Sequence, residues 1–409
     1  MAFLYLVSPS ERLTPIYHRY SRIEDTEEVS IFQASGRILA EDIYSTENIP
    51  PLPRSTVDGY AVKSEDTMGA SPETPAMLLK KGEIHIGEIP KEDIAPGQTM
   101  YIPTGGILPE GADAVEMIEY TEEISPYVEM YRSVAPGENT VQPGEDIKEG
   151  MLLIPKGTKL HARHIGLLAY AGITTVKVYR KPKIAIFSTG DEIVPPDSYP
   201  EPGKMRDANG PMLKAMFGGI GEILDVSPVI IPDKREAMEK ALKEALNIAD
   251  IVMLSGGSSA GTRDLVVSVI KSLPDSEILF HGLRISPGKP TIVAVSGGKP
   301  ILGLPGHPAS CFVSAKLIGT NIVEYIAGSN RQTPFVFIRG IIKTEVYSKP
   351  GIEEYLRVKI DFSTSPPTVE PMITQSGITY TLAMADGLAR IPPEKEGLSA
   401  GEEVEVMLL

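Results

Sequence analysis

Cysteine is almost absent from this chain. It has one, Cys311, among 409 residues. That excludes an internal disulfide and any multi-cysteine metal centre, and it fits a reducing compartment. Histidine is also sparse, and the six present include no pair with the spacing of a helical zinc motif. Cations are outnumbered: 39 Lys and Arg face 54 Asp and Glu, for a net charge of −15. Such a balance argues against a nucleic-acid footprint, and an anionic ligand would need a local basic pocket. No apolar run reaches the length of a membrane span, and the opening M-A-F-L-Y-L-V is too short for a signal core. The expectation is a cytoplasmic protein without nucleic-acid or membrane partners. Internal repeats and low-complexity tracts are missing too.

What is present is ordinary globular material, 42% apolar and 23% charged, in a chain long enough for two to four domains. The 38 glycines and 36 prolines are spread out, which means many tight turns. From about Lys181 to Gly328 strand-like and helix-like stretches alternate. Lys183–Ser188, Glu222–Ile231, Ile251–Leu254, Thr291–Val295 and Pro300–Leu304 read as extended. A helix carrying Ala237, Ala241, Leu242 and Ala245 follows Asp233, which stands where an N-cap belongs. Another starts at Pro308. This alternation predicts a three-layer α/β/α sheet, in which ligands bind at the carboxyl ends of the strands. Residues 51–180 are mostly β-prone. The tail from about Gln332 reads as a small barrel or sandwich.

The most informative segment is D-I-V-M-L-S-G-G-S-S-A-G-T-R-D-L, Asp250–Leu265. A buried strand leads into seven residues without a large side chain. Gly256, Gly257 and Gly261 let the backbone approach a ligand closely, and Ser255, Ser258 and Ser259 add hydroxyls. A helix starting near Arg263 would aim its N-terminus at an anion such as phosphate. The loop is neither G-x-G-x-x-G nor G-x-x-x-x-G-K-[ST]. Asp264 would repel an anion unless a cation lies between them, so the loop points to a phosphate ester with a metal nearby; a plain turn is the alternative.

Five other segments carry candidate chemistry. In P-P-L-P-R-S-T-V-D-G-Y-A-V, Ser55, Thr56 and Asp58 point to one place, or the segment is a hairpin corner. Thr104–Gly105–Gly106 resembles a small-ligand loop, whereas Asp113 and Glu119 read better as residues of an edge strand. G-E-D-I at Gly144–Ile147 suits Mg²⁺, a hard cation that takes oxygen ligands, or a solvated turn. S-T-G-D-E-I-V supplies Thr189, Asp191 and Glu192 at the sheet edge. R-I-S-P-G-K-P with L-P-G-H-P-A-S offers Arg284 and Lys289 as cations and Pro308 opening a second helix N-terminus. His307 is a proton donor or an ordinary loop residue.

Taken in order, P-x-x-x-S-x-x-D-G-Y-A, P-T-G-x-x-x-P-x-G-A-D-A-V, G-E-D-I, S-T-G-D-E, S-G-G-x-S-x-G-x-x-D, P-G-K-P and L-P-G-x-P resemble the molybdopterin molybdenumtransferase family along essentially the whole chain. The C-terminal region of gephyrin is similar. The resemblance implies four domains: a discontinuous, dimerising first domain (1–50 and 133–180), an inserted β-rich domain (51–132), a molybdopterin-binding α/β/α domain (181–328) and a C-terminal β-barrel (329–409). It implies molybdate or tungstate and adenylylated molybdopterin as substrates, Mg²⁺ as helper and AMP as product. It also implies a homodimer with an active site shared between subunits, and a molybdopterin adenylyltransferase as the supplying partner. Carried over by position, Asp58, Thr104, Asp146, Glu192, Asp233 and Asp264 are expected to be catalytic. Asp58, Asp146, Glu192 and Asp264 are expected to hold the metal. Ser255–Gly261 is expected to cradle phosphate. Arg284, Pro287, Gly288, Lys289 and Pro290, with Pro305, Gly306 and Pro308, are expected to bind substrate. The chain departs from the pattern at His281 and Arg284, where bacterial members usually carry lysines, at Val57 for Met, and at Asp386 for Asn. An adenylyltransferase-like enzyme, a nucleotide hydrolase or a gephyrin-type scaffold are the competing readings. A scaffold would not need the acidic set that is present.

Overall fold

The structure, a computed structural model, describes residues 14–256, 260–330, 335–372 and 379–409. Contacts divide them into two compact units. One comprises Asp42–Pro155 and Arg163–Thr174; the other comprises the described residues up to Glu41, Lys156–Ala162, and those from Thr175 onward.

The first unit is the β-rich piece. Gly59–Val62 (β1), Ala76–Glu83 (β2), Gln98–Ile102 (β3), Ala114–Met117 (β4), Thr121–Ile124 (β5) and Tyr127–Met130 (β6) form one sheet in the order β4-β1-β3-β2-β6-β5. Alternation along β1 sends Tyr60 and Val62 into one core and Ala61 into another, as a period of two requires. Gly59 is obligatory. A Cβ there would lie 1.9 Å from the Glu116 carbonyl oxygen of β4, so the turn at Asp58 is drawn tight against its neighbour.

The second unit contains the expected three-layer sheet. Its strands are Lys183–Thr189 (β7), Glu222–Ile223 (β8), Ile230–Ile231 (β9), Ile251–Ser255 (β10), Ser276–His281 (β11), Ile292–Ser296 (β13) and Lys299–Leu304 (β14), with Ile285–Ser286 (β12) lying outside this sheet. The order is β8-β7-β10-β14-β13-β11, with β9 also beside β7. Strands β7, β10 and β14 are adjacent and parallel, while β13 and β11 close the sheet antiparallel. The near-continuous apolar runs follow from burial on both faces. Ile184, Ile186, Met253 and Leu302 face one core; Ala185, Phe187, Val252 and Ile301 face the other. Helices Arg235–Ile248 (α2) and Ala260–Ser272 (α3) cover the second face through Met238, Leu242, Val269 and Ile270. Asn209–Phe217 (α1) and Pro308–Ser314 (α4) cover the first through Leu213, Phe217, Cys311 and Val313. A fully buried side chain such as Phe217 contributes about 1.5–3 kcal/mol.

Local expectations fail in three places. Helix α3 begins at Ala260, three residues before Arg263, because Ala is a strong helix former and extends the helix into the small-residue run. Gly261 therefore lies in the helix, not in the loop. Asp233 is not the cap of α2: Lys234 holds that position without a side-chain cap bond. The stretch Glu222–Ile231 is two short strands, each beside β7, with only a connecting segment between them.

The C-terminal strands are Phe337–Ile342 (β15), Glu353–Asp361 (β16), Thr368–Pro371 (β17), Gly387–Ile391 (β18) and Glu403–Leu408 (β19). They run in the order β16-β17-β15-β19-β18, and β18 returns to β16 to close a barrel. Its core is Val358, Val369, Ala389 and Val406. One strand is borrowed: β12, from the segment beside the sheet, pairs in parallel with β16 through Ile285–Glu353 and Ser286–Glu354.

Candidate functional site

Three loops leave the carboxyl ends of β7, β10 and β14, neighbours in the sheet. After β7 the chain turns at Gly190, and the Glu192 carboxylate folds back so closely that a Cβ on Gly190 would meet it at 2.6 Å. Asp191 Oδ1 accepts a hydrogen bond from the Asp233 backbone N–H at 3.2 Å. This bond brings the loop after β9 to the loop after β7. Three carboxylates thus gather at one edge. Burial first, then the charges of Asp191 and Glu192, push the Asp233 carboxyl above the usual aspartate range. Its Oδ1 is buried without a hydrogen-bond partner among the described residues. A carboxylate held in this way is an acceptor for a proton or a cation.

The loop after β10 starts under equal constraint. Gly256 has φ 139°, and a Cβ there would lie 2.2 Å from Thr189 Oγ1 and 2.3 Å from the Thr189 carbonyl oxygen. Only glycine lets this loop cross the end of β7. Ser255 is buried, and its hydroxyl oxygen accepts the long contact from Cys311 Sγ at 3.7 Å. Gly257, Ser258 and Ser259 lie outside the described residues. Asp264 is exposed, in the second turn of α3.

The third loop, after β14, borders a cavity of about 720 Å³. Pro287, Gly288, Lys289 and Pro290 line one side, Pro305, His307 and Ser310 another, and Glu354–Arg357 of β16 with Tyr347–Lys349 a third. Of the expected substrate contacts, Pro287, Gly288, Lys289, Pro290 and Pro305 line this cavity; Arg284, Gly306 and Pro308 do not. The Arg284 backbone carbonyl instead accepts from Glu353 N–H, and the Gly306 carbonyl from Asn209 Nδ2 at 2.7 Å. Arg357 escaped the sequence reading. Its guanidinium is buried and donates to Thr381 Oγ1 at 2.8 Å. Burial pulls its pKa below the usual arginine value. The signal was there in period two: Glu353, Tyr355 and Arg357 share the buried face of β16, and charge on such a face needs a reason.

In the first unit Asp58 Oδ1 accepts from the Thr104 backbone N–H at 2.7 Å and from the Thr104 hydroxyl at 2.9 Å. These two bonds, the backbone one foremost, hold the Asp58 carboxyl below the usual range. Ser55 does not join them. Its buried hydroxyl donates to the Val57 carbonyl at 2.6 Å, because a short hydroxyl readily satisfies the backbone of its own turn. In G-E-D-I the two acids divide. Glu145 accepts from Gln142 N–H at 2.7 Å and ties the turn, while Asp146 is exposed. Asp113 is structural, accepting from Ser64 N–H and hydroxyl at 2.6 and 2.8 Å. Among the described residues, no three His, Cys, Asp or Glu side chains of one chain stand close enough to hold a metal ion.

Comparison with known proteins accounts for both units. Models of the MoeA N-terminal region (domains I and II), a probable molybdopterin binding domain and the MoeA C-terminal region (domain IV) match residues 7–172, 185–325 and 339–409. A molybdopterin molybdenumtransferase of Staphylococcus epidermidis is 32% identical over 98% of this chain and 95% of its own. The chain belongs to the molybdopterin molybdenumtransferase family. A second relative, a putative molybdopterin biosynthesis protein of Methanocaldococcus jannaschii, is 35% identical over 93% of this chain and 92% of its own. The crystal structure of a MoeA protein from Pyrococcus horikoshii OT3 superposes with a TM-score of 0.81 at 30% identity, over 99% of this chain and all of that one. The departure at Asp386 has a local structural basis. Aspartate there accepts from Ile360 N–H at 2.9 Å and pairs with Lys359 at 3.0 Å, so it has a place in the barrel. No helix among the described residues is long and apolar enough to cross a membrane.

Proposed function

We propose that this protein inserts molybdate, or tungstate, into adenylylated molybdopterin, cleaving the phosphoanhydride and releasing AMP. One observation supports the reading above the rest: an acidic group at the edge of the sheet and a cation-lined cavity beside it belong to one compact unit. The first suits a metal-assisted phosphoanhydride. The second suits a tetrahedral oxyanion, with Lys289 and the buried Arg357 as its charges. An anion in the cavity would offset the burial of Arg357.

The donor set fits Mg²⁺, which takes carboxylate oxygens, and the orphaned Asp233 Oδ1 marks where negative charge is under-compensated. Glu192 and Asp264 would hold the ion from the sheet side, Asp58 and Asp146 from the β-rich side. When bound, the ion neutralises charge developing on the phosphoryl oxygens. Ser255–Gly261 would hold the phosphate against the N-terminus of α3. Asp233, with its raised pKa, is suited to taking a proton from attacking water. Thr104 fixes the Asp58 carboxylate through two bonds and keeps it ionised. We read the β-rich acids as belonging to the site of a second copy, in a cytoplasmic homodimer supplied by a molybdopterin adenylyltransferase. Within each copy we retain the four-domain division.

The test is AMP release by purified protein with adenylylated molybdopterin, Mg²⁺ and molybdate. Oxyanion-dependent release is expected. Release that ignores molybdate and tungstate would identify a hydrolase on the same fold.

A further inference from the structure

The cavity is too large for its oxyanion. A tetrahedral oxyanion displaces only a few waters of about 30 Å³ each, whereas about 720 Å³ is the size of a pocket for a drug-sized ligand. The reaction above requires company for the oxyanion. In the molybdenum-insertion reading the metal passes into the organic substrate, so the two substrates must lie side by side. The cations Lys289 and Arg357 serve one of them. Opposite the Pro287–Pro290 loop, the barrel contributes a different set: Ser348, Lys349 and Glu354.

The Ser348 hydroxyl is buried with no hydrogen-bond partner among the described residues. Glu354, half-buried, is the one acid among the described residues that line the cavity. It stands on β16, where its backbone is paired to Ile391 on one side and Ser286 on the other. A side chain on a doubly paired strand is held more precisely than one on a loop. A lone carboxylate in a cation-lined cavity opposes an oxyanion. It suits a ligand that presents N–H donors. The pyrimidinone edge of a pterin presents two, N3–H and the 2-amino group, in the parallel arrangement that a carboxylate accepts bidentately. Its remaining ring acceptors match an ammonium and a hydroxyl.

We propose that the barrel wall reads the pterin: Glu354 accepts from the N3–H and 2-amino edge, and Ser348 and Lys349 donate to the ring acceptors. This assignment rests on the molybdenum-insertion reading. It makes the C-terminal barrel the specificity element for the organic substrate, and the sheet-side loops the holders of oxyanion and phosphate.

Pterin and lumazine, which lacks the 2-amino group, are suitable probes, titrated by their own fluorescence into the full-length protein. The unaltered protein should prefer pterin by tenfold or more, since leaving a bidentate carboxylate half-paired is costly. Glu354→Gln should erase that preference, and Glu354→Asp should restore part of it. In turnover, Glu354→Gln should raise KM for adenylylated molybdopterin about tenfold and leave KM for molybdate unchanged. Lys349→Ala should act in the same direction, more weakly. Pterin preference that survives Glu354→Gln, in protein that still releases AMP with molybdate, overturns this assignment alone. A rise in the molybdate KM instead would make Glu354 part of the oxyanion pocket and also overturn it. Failure of the unaltered protein to bind pterin and to release AMP overturns the insertion reading as well.

Discussion

Asp58 and Asp233 belong to different units of the chain and meet opposite surroundings. Asp58 is exposed but receives two hydrogen bonds from Thr104, and its carboxyl is held below the ordinary range. Asp233 is partly buried beside two other acids, has an oxygen with no partner among the described residues, and is held above it. The β-rich unit satisfies its acid and fixes it as a charge. The sheet unit leaves its acid unsatisfied and able to take a proton. Folding alone explains the first arrangement. The second costs stability, which points to function.

The contrast can be tested at four residues. The largest effect is expected at Asp264, exposed on α3 with no part in the core. Asp264→Ala should keep the melting temperature and lower AMP release by about 100-fold or more, the scale of losing a charge-stabilising group. Normal turnover would remove Asp264 from the cation site. Asp58→Asn should lower turnover by about tenfold or more and also destabilise. The depressed carboxyl contributes stability above the unfolded value of 3.8 and loses it as pH falls through the folded value. Urea midpoints of variant and parent should therefore differ at pH 7 and converge in acid. Asp233→Asn should show the reverse sign. A raised carboxyl costs nothing below 3.8 and costs progressively more as pH rises through its folded value. The amide should melt higher than the parent at pH 7 while turning over more slowly. A lower melting point would mean that Asp233 is structural after all. The smallest effect on chemistry is expected at Asp113, which only ties a turn. Asp113→Ala should cost about 1–3 kcal/mol and leave turnover per folded molecule unchanged.

Much of this was legible in the residues. Period-two and period-3.6 patterns locate β7, β10, β14 and the helices over them, since a sheet covered on both faces writes itself as continuous apolar strands. The glycines at 59 and 256 mark backbone contacts that nothing larger would fit. The rest depended on which partner a polar group finds. Asp58 bonds Thr104, 46 positions away, whereas Ser55 bonds two residues on, and no spacing rule separates those outcomes. Strand β11 was missed because its S-E-I-L-F-H sequence is only half-buried. The cavity was hidden for a different reason: two of its walls come from segments that each look complete alone.

The pairing of β12 with β16 has a consequence for how such proteins diverge. It is made by backbone atoms, so it is indifferent to which side chains the two segments carry. The spacing between the Pro287–Pro290 turn and the barrel stays fixed while the residues facing each other across the gap are free to change. A relative could exchange the residue at Glu354 or Lys349 for another without re-engineering the frame. Conversely, a barrel transplanted from one member to another must bring a strand edge that accepts Ile285 and Ser286. The seam for any chimera therefore runs through residues 284–286 as well as through the linear boundary near residue 330.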